Sequence, residues 1–213
     1  MIGIIDYNAG NIKSVERALS FLGIEYVLSK NPSDLKNADK IIFPGVGDAD
    51  FAMKELKKSG FDSFIKDFAA TGLPLLGICL GSQIIFDYSE EGNTDCLGLV
   101  KGTVKHFSSV LPEEAGKLKI PHMGWSSVSI LPDCPILKDI PSDSDFYFVH
   151  SYLIQPEDQS VVKGFADYGV KVPAVIQSGN IFACQFHPEK SAEKGLAILK
   201  NFSELSKTEA AHA

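Results

Sequence analysis

Short apolar runs alternate with helical repeats through the first half of the chain, and that order leaves few folds open. Ile2–Ile5 reads as a strand. After the turn Tyr7-Asn8-Ala9-Gly10-Asn11, the residues Ile12, Val15, Leu19 and Leu22 recur at helical spacing, and Gly23 marks a stop. Ile24–Leu28 and Lys40–Phe43 are predicted strands with a short helix between them. Phe51–Lys58 and Phe61–Ala70 are predicted helices ending near Gly60 and Gly72. Leu73–Ile78 is a predicted buried strand, and Gln83–Tyr88 is expected to continue into a helix. Helices between consecutive strands imply parallel pairing with helices packed on both faces. From about residue 97 the pattern changes to strands joined by loops: Val104–Phe107, Ser126–Leu131, Phe146–Val149 and Val161–Ala166. Ala174–Gln177 and Ile181–Phe186 flank Ser178-Gly179-Asn180, a hairpin signal, and Glu193–Phe202 is the predicted closing helix. The expected fold class is α/β: a doubly wound, mostly parallel central sheet with helices on both faces, and an antiparallel strand and hairpin region in the second half. One domain is expected over residues 1–203, followed by a polar, frayed tail over 204–213.

Composition narrows the function classes. In 213 residues, 45% are apolar and 22% charged, as in a globular protein with a real core. The formal net charge of −7 argues against a nucleic-acid partner, whose phosphates attract basic surfaces. No apolar run approaches the roughly 20 residues of a membrane-spanning helix. The start, Met1-Ile2-Gly3-Ile4-Ile5-Asp6, has no basic segment of the kind that opens a signal peptide. Cys79, Cys96, Cys134 and Cys184 show no metal-type spacing and are too sparse for a disulfide scaffold, so a reducing cytoplasm is the expected home.

Three segments carry chemistry. Leu73-Pro74-Leu75-Leu76-Gly77-Ile78-Cys79-Leu80-Gly81-Ser82-Gln83 has the Gly-x-nucleophile-x-Gly form. Here a strand must turn abruptly into a helix. Gly77 and Gly81 leave room for that turn, and Cys79 is displayed at the helix N-terminus, where the positive dipole end favours thiolate. Taken alone, a buried cysteine between structural glycines fits this segment equally well. In Phe186-His187-Pro188-Glu189-Lys190-Ser191, His187 and Glu189 lie two apart on extended chain, so their side chains can point the same way. Pro188 cannot donate to a sheet ladder and places the pair at a strand end, where doubly wound folds put their sites. A catalytic thiol needs such a base and an acceptor to orient it. A solvated His–Glu pair is the commoner fate of such residues. Ile41-Ile42-Phe43-Pro44-Gly45-Val46-Gly47-Asp48 is a strand with a glycine loop lacking the third glycine of a dinucleotide site. Its amides would suit an oxyanion hole beside a thiol; a plain turn fits the local sequence as well.

Together these segments resemble the class I (triad) glutamine amidotransferases, in the family's order and from Ile2 to about Phe202. Asp6–Asn11, Pro121-His122-Met123-Gly124-Trp125, His150-Ser151-Tyr152 and His187–Ser191 look like the glutaminase subunits of imidazole glycerol phosphate synthase. Ser82 and Ser126 depart from that pattern, where Met and Asn are usual. The resemblance implies a catalytic set of Cys79, His187 and Glu189, with oxyanion donors at Leu80, Val46 and Gly47. It implies glutamine contacts at Gln83, Glu91, Ser151 and Tyr152, where an α-ammonium calls for a carboxylate such as Glu91. Asn11, His122, Trp125 and Lys190 are expected at the interface with a cyclase or synthase subunit that receives the ammonia, in a heterodimer. No metal and no organic cofactor is implied. His106 and His212 have no expected role, and Cys96, Cys134 and Cys184 are read as packing residues. The same glutaminase chemistry serving another synthase, another hydrolase on this scaffold, and a regulatory module without chemistry are the alternatives.

Overall fold

The computed structural model describes residues 1–8, 11–113 and 118–206. In chain order the elements are β1 Ile2–Ile5, α1 Ile12–Phe21, β2 Tyr26–Ser29, β3 Lys40–Gly45, α2 Ala49–Ser59, α3 Phe61–Ala70, β4 Leu75–Cys79 and the single-turn α4 Leu80–Gln83. Then follow β5 Tyr88–Ser89, β6 Thr94–Asp95, β7 Gly102–His106, β8 His122–Ile130, β9 Ser144–His150, β10 Tyr152–Pro156, β11 Val162–Asp167, β12 Lys171–Ser178, β13 Ile181–Cys184 and α5 Ala192–Glu204. Nine strands form one sheet in the order β2-β1-β3-β4-β13-β12-β11-β8-β9. Pairing is parallel from β2 through β13 and antiparallel from β13 to β9. The expected parallel half and hairpin region are therefore one continuous mixed sheet. A smaller sheet, β10-β7-β5-β6, packs beside it, with Val104 and Ile154 in one core cluster with Ile176 and Ala183.

Side-chain alternation along the parallel strands divides the core between the two faces. Ile42, Leu76, Ile78, Phe182 and Cys184 pack with Val15 and Leu19 of α1 and with Ile198, Leu199 and Phe202 of α5. Their neighbours Ile41, Phe43, Leu75, Ile181 and Ala183 point the other way, onto Met53 and Leu56 of α2 and Phe61 and Ile65 of α3. Gly60, at φ 77°, closes α2 and opens α3, a left-handed residue between two helices that only glycine adopts cheaply.

Three expectations need correction. The segment after Cys79 is helical only over Leu80–Gln83, and Tyr88 belongs to β5. Ile84, Ile85 and Phe86 are all fully buried, so no solvent face exists to sustain an amphipathic helix there. The expected strands leave out Tyr152–Pro156, which pairs with β7 as β10. Finally, the closing helix expected over Glu193–Phe202 spans Ala192–Glu204 as α5, and Leu205 packs into the core beyond it. Residues 207–213 of the expected tail lie outside the described residues.

Candidate active site

The site lies at the carboxyl ends of β3, β4 and β13, and its centre is an elbow at Cys79. The backbone there has φ 55° and ψ −112°, outside the comfortable regions for an L-residue, which costs about 1–3 kcal/mol and is the mark of a nucleophile turn. Its neighbours explain how the turn is held. A Cβ on Gly81 would lie 2.0 Å from the Phe43 carbonyl oxygen, and one on Gly77 would lie 2.7 Å from the Gly81 carbonyl oxygen. Both glycines are thus required by contact between α4 and the ends of β3 and β4. Ser82 donates to the Cys79 carbonyl at 2.6 Å and closes the turn from within. One turn of helix supplies little macrodipole, so the dipole expected to favour the Cys79 thiolate is small here.

His187 follows β13 on extended backbone, with φ −98° and ψ 95°. Its amide donates to the Tyr147 carbonyl at 3.0 Å, and the Ser191 hydroxyl accepts from the Tyr147 amide at 2.9 Å while donating to the His187 carbonyl at 2.7 Å. These bonds clip the His187–Ser191 turn onto β9. Nδ1 of His187 meets Glu189 Oε1 at 2.8 Å, and both side chains are buried, to 2% and 1% exposure. Glu189 Oε1 also accepts from Asn11 Nδ2 at 3.2 Å. Nε2 of His187 is buried without a hydrogen-bond partner and shares the cleft with the Cys79 thiol. Burial by itself lowers the pKa of this imidazole, but Cys79 and Glu189 outweigh it and the net shift is upward. No hydrogen bond between sulfur and Nε2 is closed in this geometry; the Cys79 sulfur instead lies 3.8 Å from the Val149 carbonyl oxygen.

A cleft of about 280 Å³ opens over the thiol. Val46, Gly47, Leu80, Gln83, Glu91, Ser151 and Tyr152 all line it with Cys79 and His187, and Glu189 stands behind the imidazole. Glu91 accepts from the Ala49 amide at 2.9 Å, at the start of α2, and burial raises its pKa. Gln83 donates from Nε2 to the Tyr152 carbonyl at 3.0 Å and to Gln185 Oε1 at 2.9 Å. Its amide protons are therefore committed within the protein, and its carbonyl oxygen is the atom left to meet a ligand. Pro121, Val149 and His150 also line the cleft and carried no role in the sequence reading. The signal for His150 was its place directly before Ser151-Tyr152.

The four residues expected at a partner surface separate. Trp125 is 55% exposed beside Met123 at 61%, and Lys190 is exposed. Asn11 is half-buried and bonded to Glu189. His122 is 1% exposed, which removes its ring from any surface contact. Its ring stacks on Phe148 and Tyr168, its Nδ1 meets His150 Nε2 at 3.0 Å, and its Nε2 meets Ser126 Oγ at 2.8 Å. The reason is strand geometry: on β8, residues 122 and 125 face opposite sides of the sheet.

Burial pushes the thiols of Cys96 and Cys134 up to about 12 and holds that of Cys184 well above the ordinary thiol range, which keeps all three protonated at neutral pH. Among the described residues, no group of three or more His, Cys, Asp or Glu side chains is placed to hold a metal ion, and no helix is long and apolar enough to cross a membrane.

Residues 3–205 match the profile of the family described as Glutamine amidotransferase class-I. The chain is 44% identical to the imidazole glycerol phosphate synthase subunit HisH of Dehalococcoides mccartyi, over 97% of this chain and 98% of that one. It is also 44% identical to the subunit of the same name from Bacillus subtilis, over 97% of each. Two solved structures share the fold: a glutamine amidotransferase at TM-score 0.72 and 17% identity, covering 94% of this chain and 98% of the other, and PurLQS from Thermotoga maritima at TM-score 0.72 and 20% identity, covering 94% and 96%. A cysteine elbow facing a carboxylate-backed histidine, on a chain matched by the family profile over nearly its whole length, leads to one conclusion: the protein belongs to the class-I glutamine amidotransferases.

Proposed function

We propose that this chain is the glutaminase subunit of imidazole glycerol phosphate synthase in histidine biosynthesis, releasing ammonia from glutamine for a partner cyclase. The observation that carries the chemistry is the Cys79 elbow facing a partnerless His187 Nε2 whose Nδ1 is held by Glu189. The pathway rests on relatives at 44% identity over nearly their full length.

In this reading the Cys79 thiolate attacks the side-chain amide carbon of glutamine. The tetrahedral oxyanion is met by the Leu80 amide and by an amide of the Val46–Gly47 loop, each worth about 3 kcal/mol, or around a hundredfold in rate. His187 gives its proton to the departing ammonia, then activates water to hydrolyse the glutamyl thioester. Glu189 fixes the ring, as its 2.8 Å bond supports. Glu91 and the Gln83 carbonyl oxygen receive the α-ammonium, and the Ser151 and Tyr152 side supplies donors for the α-carboxylate. The exposed pair Met123 and Trp125, with Lys190, forms part of the surface offered to the cyclase. Uncoupled hydrolysis wastes glutamine, so the chain alone is expected to be a poor glutaminase that its partner and the acceptor substrate switch on through the glycine loop.

The deciding experiment uses Cys79→Ala in the assembled complex. Product formation from glutamine is lost, while formation from an added ammonium salt is retained. Equal loss with both nitrogen donors contradicts the reading.

A further inference from the structure

Tyr7 lies in the turn after β1, and the chemistry above makes no use of it. Its side chain is 1% exposed and its ring packs against Phe43, with centroids 5.5 Å apart. The hydroxyl is buried and makes no hydrogen bond among the described residues, a position a desolvated phenol seldom holds. Its surroundings are specific. A Cβ on Gly45 would lie 2.6 Å from this oxygen, 2.8 Å from the Gly81 nitrogen and 3.0 Å from the Leu80 Cβ. The hydroxyl therefore sits where the last residue of β3 meets the nucleophile elbow, and any side chain at position 45 would take its place. Val46 and Gly47 line the cleft on the next two residues, whereas Tyr7 does not. It stands behind the loop. Burial first, and the nearby Cys79 second, hold its pKa far above the ordinary phenol range, so the group is a neutral O–H with a proton to donate.

A planar trans peptide points its N–H and C=O in opposite directions. Turning the Gly45–Val46 unit so that the Val46 N–H enters the cleft turns the Gly45 carbonyl away from it, and the unpaired Tyr7 hydroxyl is a buried donor beside Gly45. We propose that Tyr7 is a positioning residue for the oxyanion loop, donating to the Gly45 carbonyl in the hydrolytic orientation and lacking a partner in the idle one. This rests on the glutaminase reading, with Val46 as an oxyanion donor. The unspent hydroxyl raises the free energy of the idle state and narrows the gap that the partner must overcome.

The test is Tyr7→Phe, which deletes one oxygen. Glutamine turnover is measured for the chain alone and with its synthase and acceptor substrate, alongside the thermal midpoint of the chain alone. The expected result is a stimulated kcat at least tenfold below wild type, a KM for glutamine within twofold, and a thermal midpoint equal to or above wild type. That combination separates positioning from packing, since removing a satisfied structural hydroxyl lowers the midpoint. A stimulated kcat within twofold of wild type overturns the proposal, as does a fall in the midpoint. The wild-type assay reports on the underlying reading: an active wild type with an unaffected variant removes only the role of Tyr7, while a wild type that never hydrolyses glutamine removes the glutaminase reading as well.

Discussion

The two walls of the cleft use glycine for opposite reasons. At the elbow, Gly77 and Gly81 are glycine because a Cβ would strike neighbouring backbone at 2.7 and 2.0 Å. Across from it, Gly47 has φ 94° and nothing within 4 Å of its Cβ position. The first wall has no freedom to spare; the second is built around a residue that needs unusual backbone angles and has open space to change them. The Cys79 elbow is thus set by packing, and the loop proposed as the oxyanion side is left adjustable.

Gly81→Ala attacks the fixed wall hardest. The added methyl must displace the end of β3, and a loss of about 3 kcal/mol or more in a urea unfolding titration is expected. A fully stable variant would show that the elbow is looser than described. Glu189→Gln spares the packing but disturbs the tautomer of His187, and turnover of the assembled enzyme should fall by about a hundredfold or more, with KM for glutamine little changed. Gly47→Ala addresses the adjustable wall. It penalises the left-handed conformer by about 1 kcal/mol, so stability falls by at most that much, less than for Gly81→Ala, while the ratio of stimulated to unstimulated turnover contracts roughly fivefold. An unchanged ratio would mean that Gly47 does not move during activation.

The smallest effects are those of pH, and they again divide by region. Burial lowers the pKa of His122 to about 4 and, with further contributions, that of His150 to about 3. Their stabilising contribution is complete above the unfolded value near 6.5 and is lost as pH falls toward these folded values. His187 is shifted the other way. Its contribution is complete below about 6.5 and fades as pH rises through its elevated folded value. Thermal midpoints followed against pH should therefore show His122→Gln reducing the acid sensitivity of the wild type. His187→Gln should cost most below about pH 6.5 and least in alkali. Parallel curves for all three proteins would refute both assignments.

Where the sequence was read well, local chemistry agreed with tertiary structure. Phe61–Ala70 was placed to the residue because Gly60 and the apolar spacing both mark its limits, and the hairpin around Ser178-Gly179-Asn180 has its own turn chemistry. Reading failed where burial is two-sided or depends on distant partners. Ile84-Ile85-Phe86 carries no usable period, and the short strands β5 and β6 exist only through their neighbours. Of the cleft-lining residues, Cys79, His187 and the Val46–Gly47 loop are legible from their own motifs, Gln83, Glu91, Ser151 and Tyr152 follow only from the family resemblance, and Pro121, Val149 and His150 have no assigned role. The inward turn of His122 and the bond from Asn11 to Glu189 were not legible, since each depends on a residue far along the chain.

The clip between β9 and the His187–Ser191 turn bears on how this protein fails. β9 is the last strand of its sheet, and edge strands with unpaired backbone groups invite pairing with other chains. At Tyr147 both outward groups are already taken, the N–H by the Ser191 hydroxyl and the C=O by the His187 amide. A foreign strand can dock at that point only after dislodging the turn that carries His187, the proposed general base. Molecules entering aggregation along this edge have therefore already lost hydrolytic competence, and in a stressed preparation the decline in turnover should precede the rise in light scattering.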